Sequence, residues 1–231
     1  MRTSNDSRAP PPSPSSSLLS PMSSDDSIAH FFGFGSLIWR PGPLLSSLHP
    51  PEPKWAFLPS FVRLFAQGST DHRGVPGAPG RVVTILNEEQ ATGAGLDADV
   101  FKKLHGVHGV VYTIEGVNNI RTVLDYLNVR EQGGYTQMNL PVYTDESCTE
   151  VLVEEAIVFQ ATPENPEFLG LEPVPVMAAT IADSVGPSGP NTEYLLELDD
   201  ALRAAGRRDD HVAELADAVR ALLAQRATSA S

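Results

Sequence analysis

One cysteine, Cys148, stands in 231 residues, so the chain forms no internal disulfide and fits a reducing compartment. Bases are scarce as well: 16 Lys and Arg face 29 Asp and Glu, a formal charge of −13. Nucleic-acid binders need a basic footprint, so that class of partner is disfavoured. The acids are scattered along the chain, which reads as a solvated surface rather than a docking patch. No apolar run approaches the length of a membrane span, so no membrane partner is expected. The Cys/His spacings of a metal site are missing too.

The amino end has almost nothing with which to build a core. Its first 27 residues hold ten serines and five prolines against Leu18, Leu19 and Met22. Such a stretch buries too little apolar surface to offset its ordering entropy, and residues 1–28 are expected to be a disordered tail. It has no continuous apolar segment of the kind a secretory signal carries. Asp6, Asp25 and Asp26 with only two arginines also fit a transit peptide poorly. One domain of ordinary size is expected over residues 29–226, with an insertion at about 88–104 and a flexible end at 227–231.

Short runs rich in Val, Ile, Phe and Tyr predict strands at Ala29–Gly33, Phe61–Phe65, Arg81–Leu86, Val107–Ile114, Met138–Tyr143 and Glu155–Ala161. Helical spacing appears between them and then dominates. Asn118 can cap a helix whose Ile120, Val123, Leu124 and Leu127 form one stripe. Tyr194, Leu195, Leu198 and Leu202 form a second, closed by Gly206; Val212, Leu215, Val219 and Leu222 form a third. Gly74–Gly80 and Gly186–Pro190 read as loops. Strands first and helices last point to an α+β domain built on a small mixed sheet or barrel with flanking helices.

The most informative phrase is FFGFGSLIW, Phe31–Trp39. Gly33 and Gly35 bracket Phe34 at a strand end, where glycine permits close approach of a ligand to the main chain. Ser36 then offers a hydroxyl and a backbone N–H, and such a junction can present consecutive amides to a polarised oxygen. The ordinary alternative is a strand-end bend. The phrase lacks the third glycine of a dinucleotide loop and the Gly-Lys of a P-loop, and Ser36 is not in a hydrolase elbow. Glu131, in NVREQGGYTQ, follows a predicted helix; it is either a solvated surface acid or a functional one folded back by Gly133-Gly134. Tyr135 reads by default as a strand aromatic. Asp71, His72 and Arg73 form either a polar turn or part of a pocket. Neighbours such as Asp71 and His72 seldom have the facing geometry that a triad with Ser36 would need. Cys148, in YTDESCTE, reads as an exposed loop residue without a catalytic role.

Taken in order, five blocks make the chain resemble the ChaC-type, glutathione-specific γ-glutamylcyclotransferases. They are FGFGSLIWRPG (Phe32–Gly42), GSTDHRGVPGAPGRVVTIL (Gly68–Leu86), HGVVYTI (His108–Ile114), LDYLNVREQGGY (Leu124–Tyr135), and ATPENPEFLG through GPSGPNTEYL (Ala161–Leu195). The similarity spans about Phe31 to Arg220. The tail, the segment around Ala91–Lys103 and the last few residues lie outside it.

The resemblance implies a cyclotransferase fold and the release of 5-oxoproline and cysteinylglycine from glutathione, a small-molecule substrate handled in the cytoplasm without cofactor or metal. It places the substrate loop on Gly33, Phe34, Gly35, Ser36, Leu37 and Ile38, with Tyr135 as a further substrate contact and Glu131 as the catalytic acid. One departure is visible: many relatives have Tyr where Phe34 stands, so a hydroxyl is missing here. In this chemistry the γ-glutamyl α-amine attacks its own γ-carbonyl and expels the peptide amine. Tethering the reacting atoms is worth up to about 7–11 kcal/mol in favourable systems. Glu131 would take a proton from the amine and return it to the leaving nitrogen, helped by partial burial that raises a carboxyl from its reference of about 4.3. Amides at Gly35–Leu37 are the expected oxyanion donors, each worth about 3 kcal/mol. Two alternatives remain open: action on other γ-glutamyl amino acids or amines, and non-catalytic γ-glutamyl binding.

Overall fold

The computed structural model describes residues 27–48, 54–104, 106–130 and 134–229. Glu131 and the expected tail through Asp26 lie outside them. In chain order the strands are β1 (Ile28–Gly33), β2 (Lys54–Leu58), β3 (Phe61–Ser69), β4 (Gly80–Asn87), β5 (Val107–Glu115), β6 (Thr136–Tyr143), β7 (Val151–Gln160), and the two-residue β8 (Val185–Gly186) and β9 (Gly189–Pro190). The helices are α1 (Gly42–Leu48), α2 (Glu88–Gly93), α3 (Ala98–Leu104), α4 (Val117–Arg130), α5 (Val174–Asp183), α6 (Asn191–Ala204) and α7 (Asp210–Ser229).

Five strands close into a barrel in the order β1-β5-β2-β6-β7. The barrel is mixed, because β1 runs parallel to β7 while its pairing with β5 is antiparallel. β3 and β4 form a separate antiparallel pair with an irregularity between Leu64 and Gln67. Side chains alternate across each strand. On β1, Phe32 joins a core shared with α5, α6 and α7, whereas Phe31 joins the one beneath α1 and α4. On β5, Val111 and Val110 divide in the same way. Three apolar bodies therefore hold the fold, the third being Val62, Leu64, Ala66 and Leu86 covered by Ala91 and Phe101.

That third body gives the segment at 88–104 its form. Asn87 and Gln90 make a reciprocal capping box that starts α2, and α3 follows it. The expected stripe on α4 is apolar and inward: Val123 and Leu127 are buried, and Ile120 and Leu124 pack beside them. Asn118 is not its cap. Gly116, at φ 87°, supplies the carbonyl that accepts the Ile120 N–H at 3.0 Å, so Asn118 lies in the first turn. The stop at Gly206 has a clear mechanism. Its N–H donates to Arg203 O at 3.0 Å and the Arg207 N–H to Leu202 O at 2.9 Å, the paired bonds of a Schellman end at φ 65°.

Elements that the sequence does not announce are α1, β2 and α5, and the short β8–β9 pair occupies the expected loop at Gly186–Pro190. β2 follows a proline-rich stretch, and α5 begins beside Pro173 and Pro175. Proline is harmless in a first helical turn because the N–H it lacks has no acceptor there. α7 also runs three residues into the end expected to be flexible, to Ser229. Among the described residues no helix is long and apolar enough to cross a membrane.

Candidate active site

β1 ends at Gly33, and the chain then makes a tight 3-10 turn over Ser36–Ile38. Its own hydrogen bonding begins at the Ile38 N–H, which donates to Gly35 O at 2.9 Å. The Arg40 and Trp39 amides both donate to Ser36 O, at 2.7 and 3.3 Å. The Tyr112 hydroxyl, rising from β5, donates to Leu37 O at 2.6 Å. Three successive carbonyls are thus engaged by the protein, which fixes the peptide planes. A turn of this type does not use its leading amides, and those of Gly35 and Leu37 precede or fall within its first residues.

Both glycines are there because space is short. A Cβ on Gly33 would stand 2.6 Å from Leu37 Cβ, and one on Gly35 would stand 2.9 Å from Tyr194 Oη and 3.1 Å from Val83 Cγ2. Tyr194 is itself wedged edge-on against Trp39 and Phe65, with ring centroids at 5.3 and 6.0 Å. The α6 stripe therefore does more than fill the core: it sets the height of the loop.

Beside this turn lies a cavity of about 460 Å³. Gly33, Phe34, Gly35, Ser36, Leu37 and Tyr135 all line it. Ile38 does not; it packs instead at the junction of two apolar cores. Phe34 is buried, and as a phenylalanine it offers the cavity no hydroxyl. One wall is apolar, with Tyr126 and Leu127 of α4, Tyr135 and Phe159. Leu127 precedes Glu131 by four residues and Tyr135 follows it by four, so the phrase that contains Glu131 is flanked on both sides by cavity residues.

The opposite wall is polar. Asp71, His72 and Arg73 all reach it, as do Glu167 and Ser188. Glu167 is anchored by the Thr70 hydroxyl, which donates to its Oε1 at 2.5 Å, and by the Gly68 N–H on its carbonyl at 2.8 Å. His72 does not pair with Ser36. Its Nδ1 lies 3.1 Å from Ser188 Oγ, and its Nε2 lies 3.7 Å from Asp71 Oδ2, beyond hydrogen-bond reach. Both side chains are at least half exposed, an arrangement unlike the buried, aligned acid-base pair of a serine hydrolase.

Arg73, Arg40, Glu193 and Tyr194 form a group that spacing does not reveal. Arg73 is buried; its Nη1 donates to Pro190 O at 2.9 Å and both terminal nitrogens lie 3.3 Å from Glu193 Oε1. Its guanidinium also lies over the Tyr194 ring, 5.9 Å from the centroid. Arg40, on the rim, donates from Nη2 to the same Glu193 oxygen at 3.2 Å. More than 100 residues separate the arginines from Glu193, so only the docking of α6 against the β1 turn brings them together. Arg40 was visible as part of FGFGSLIWRPG, but nothing local marked it as a cavity residue.

Comparison with known proteins gives this arrangement its context. The family model described as ChaC-like protein matches residues 29–222. The chain is 36% identical over 203 residues to glutathione-specific γ-glutamylcyclotransferase 1 of Mus musculus, covering 85% of this chain and 81% of that protein. It is 34% identical over 210 residues to the glutathione-specific γ-glutamylcyclotransferase of Saccharomyces cerevisiae, covering 78% and 88% respectively. Among solved structures, a γ-glutamylcyclotransferase specific to glutathione from yeast superposes with a TM-score of 0.73 at 31% identity, covering 84% of this chain and 96% of that one. A family model matched over residues 29–222, relatives above 30% identity over most of both chains and a yeast structure at a TM-score of 0.73 leave one assignment: the chain belongs to the ChaC-like family.

Proposed function

We propose that this protein is a γ-glutamylcyclotransferase that cleaves glutathione to 5-oxo-L-proline and L-cysteinylglycine. The observation that carries the reading is the pinned turn at Gly35–Ile38, set into a cavity of a size suited to a tripeptide, in a chain whose relatives are named for this activity.

The substrate supplies its own nucleophile. Folding the γ-glutamyl arm against the glycine turn brings the α-amine to the γ-carbonyl carbon, and the entropy of that closure is met by binding. Glu131 accepts a proton from the ammonium and frees the lone pair. The amine attacks, and the carbonyl π electrons move to oxygen. The amides of Gly35 and Leu37 receive that negative charge, and the Leu37 amide reorganises little as it grows because its peptide plane is held by the two bonds on the Ser36 carbonyl. Collapse of the intermediate expels the cysteinyl nitrogen, which takes the first proton back from Glu131; the carboxylate then accepts the second proton from the ring nitrogen, leaving a neutral lactam, and passes it to the departed amine, which leaves as an ammonium. Gly33, Phe34, Gly35, Ser36, Leu37 and Tyr135 hold the glutamyl arm, and Ile38 supports the turn from the core side. A lone thiol, Cys148, and a substrate that is itself a thiol support a cytoplasmic setting.

The test is direct. Purified protein incubated with glutathione should release 5-oxoproline and cysteinylglycine in equal amounts. Release from γ-glutamyl amino acids or amines instead would move the assignment within the same chemistry. Saturable binding without any oxoproline would leave a binding protein.

A further inference from the structure

Resting on the reading above, we propose that Arg40 is the specificity residue of the cavity, receiving the carboxylate at the glycine end of glutathione.

Glutathione brings two carboxylates and one ammonium, a net charge of −1, to a protein whose formal charge is −13. Such a ligand needs cations placed locally, because the surrounding field opposes its approach. Among the described residues two arginines line the cavity, and they are held differently. Arg73 is enclosed, its fork committed to the Pro190 carbonyl and the Glu193 carboxylate and its face to Tyr194. Arg40 is 56% exposed, and its ion pair among the described residues uses Nη2 alone. A guanidinium has five N–H donors, so most of the Arg40 fork is left to face the cavity mouth. Glu193 holds the two arginines through one oxygen, which orients the Arg40 side chain without covering it.

The direction of the reaction says which carboxylate belongs there. The γ-carbonyl must lie deep, against the fixed amides and away from water, because oxyanion stabilisation is strongest where the dielectric is low. The dipeptide departs, so its free end must face the opening. An extended tripeptide spans about 10 Å, so one substrate can reach from the turn to the rim. Arg40 lies two residues beyond the turn, with its amide bonded to the turn's Ser36 carbonyl, so the residue that grips the leaving group is tied to the element that grips the oxyanion. Arginine suits this task because its planar fork meets a carboxylate with two parallel bonds, whereas lysine offers a point charge.

The test compares glutathione with its glycinamide, in which that carboxylate is a neutral amide, and measures kcat and KM by 5-oxoproline release. Wild-type protein should prefer glutathione by about tenfold or more in kcat/KM, chiefly through KM, the range expected of a charge-assisted pair. In Arg40→Ala that preference should fall to within about threefold, and Arg40→Lys should recover part of it. The wild-type comparison does not depend on how any variant folds. Equal use of the two substrates by wild-type protein, or a preference that survives Arg40→Ala, would overturn the assignment of Arg40 while leaving the cyclotransferase reading intact. No oxoproline from either substrate with wild-type protein would remove the reaction, and this inference with it.

Discussion

Replacing Glu131 by Gln keeps the size and polarity of the side chain and removes only its basicity. If it carries the proton between the two nitrogens, turnover should fall by about 10²–10⁴-fold, with substrate affinity little changed. A Glu131→Gln protein that forms oxoproline at the wild-type rate would eliminate that role. Ser36→Ala should cost much less, because it removes a hydroxyl and leaves every main-chain amide of the turn in place. Tyr112→Phe tests the turn from beneath. Deleting the hydroxyl that donates to Leu37 O leaves a half-buried carbonyl short of a donor, a loss of about 1 kcal/mol, and loosens the 37–38 peptide whose N–H closes the turn on Gly35 O. Its signature is a lower kcat together with a lower urea midpoint, where Glu131→Gln should lower kcat alone. Gly35→Ala forces a methyl against Tyr194 Oη, so it should impair turnover, and Tyr194→Phe in the same chain should restore part of the loss. Failure of that second change to help would point to Val83 as the obstacle.

α7 is joined to β3 through Asp209, whose two carboxylate oxygens have different tasks. Oδ1 accepts the Val212 N–H at 3.1 Å and caps the helix, while Oδ2 accepts from Arg63 Nη1 at 3.0 Å. The Arg63 guanidinium is wholly enclosed, and burial pulls it below its ordinary value while Asp209 opposes that shift. Asp209→Ala should therefore cost about 3 kcal/mol or more, since an unpaired buried cation is worse than a missing pair. Asp209→Asn, which can still cap, should cost less, and urea denaturation of the two variants gives the order. Nothing in the spacing of residues announces this link, because Arg63 and Asp209 are 146 positions apart. What was legible was local. β1 and β5 followed from their β-branched and aromatic runs, α4 and α6 from stripes that face the core, and the turn after β1 from two glycines before a serine. β2 and α5 escaped because neighbouring prolines are read as breakers even where the chain tolerates them. On the cavity's charged wall, Asp71, His72 and Arg73 were legible as a turn or part of a pocket, but the meeting of Arg73 with Arg40 and Glu193 escaped for the reason Arg63 did. These last three meet only when α6 docks on the β1 turn, and the Tyr194 stripe that signals the docking looks like ordinary core.

Mild acid should loosen the whole fold through its buried histidines. His211 is buried, and its Nε2 accepts the Phe65 N–H at 3.1 Å, a bond that a protonated ring cannot accept. Burial lowers its pKa below the ordinary 6.5, outweighing the pull of Asp209 and Glu214. His108 is lowered by the same cause, even though Glu146, 2.7 Å from its Nε2, favours the charged ring; Glu146 is largely exposed, so its charge is screened and burial prevails. His30 is lowered by burial and then by Lys54. With all three displaced downward, the unfolded chain binds protons first as pH falls. The stability these rings contribute is then complete above about pH 6.5 and is lost progressively below it, at about 1.4 kcal/mol per pH unit for each proton taken up on unfolding. Urea midpoints should therefore fall from pH 7.5 through 6.5 to 5.5. His211→Gln, which keeps an acceptor without a titrating ring, should flatten part of that slope. A midpoint that holds steady or rises on acidification would mean that the folded protein keeps these rings charged, and the packing of β3 against α7 around a neutral His211 would have to be redrawn.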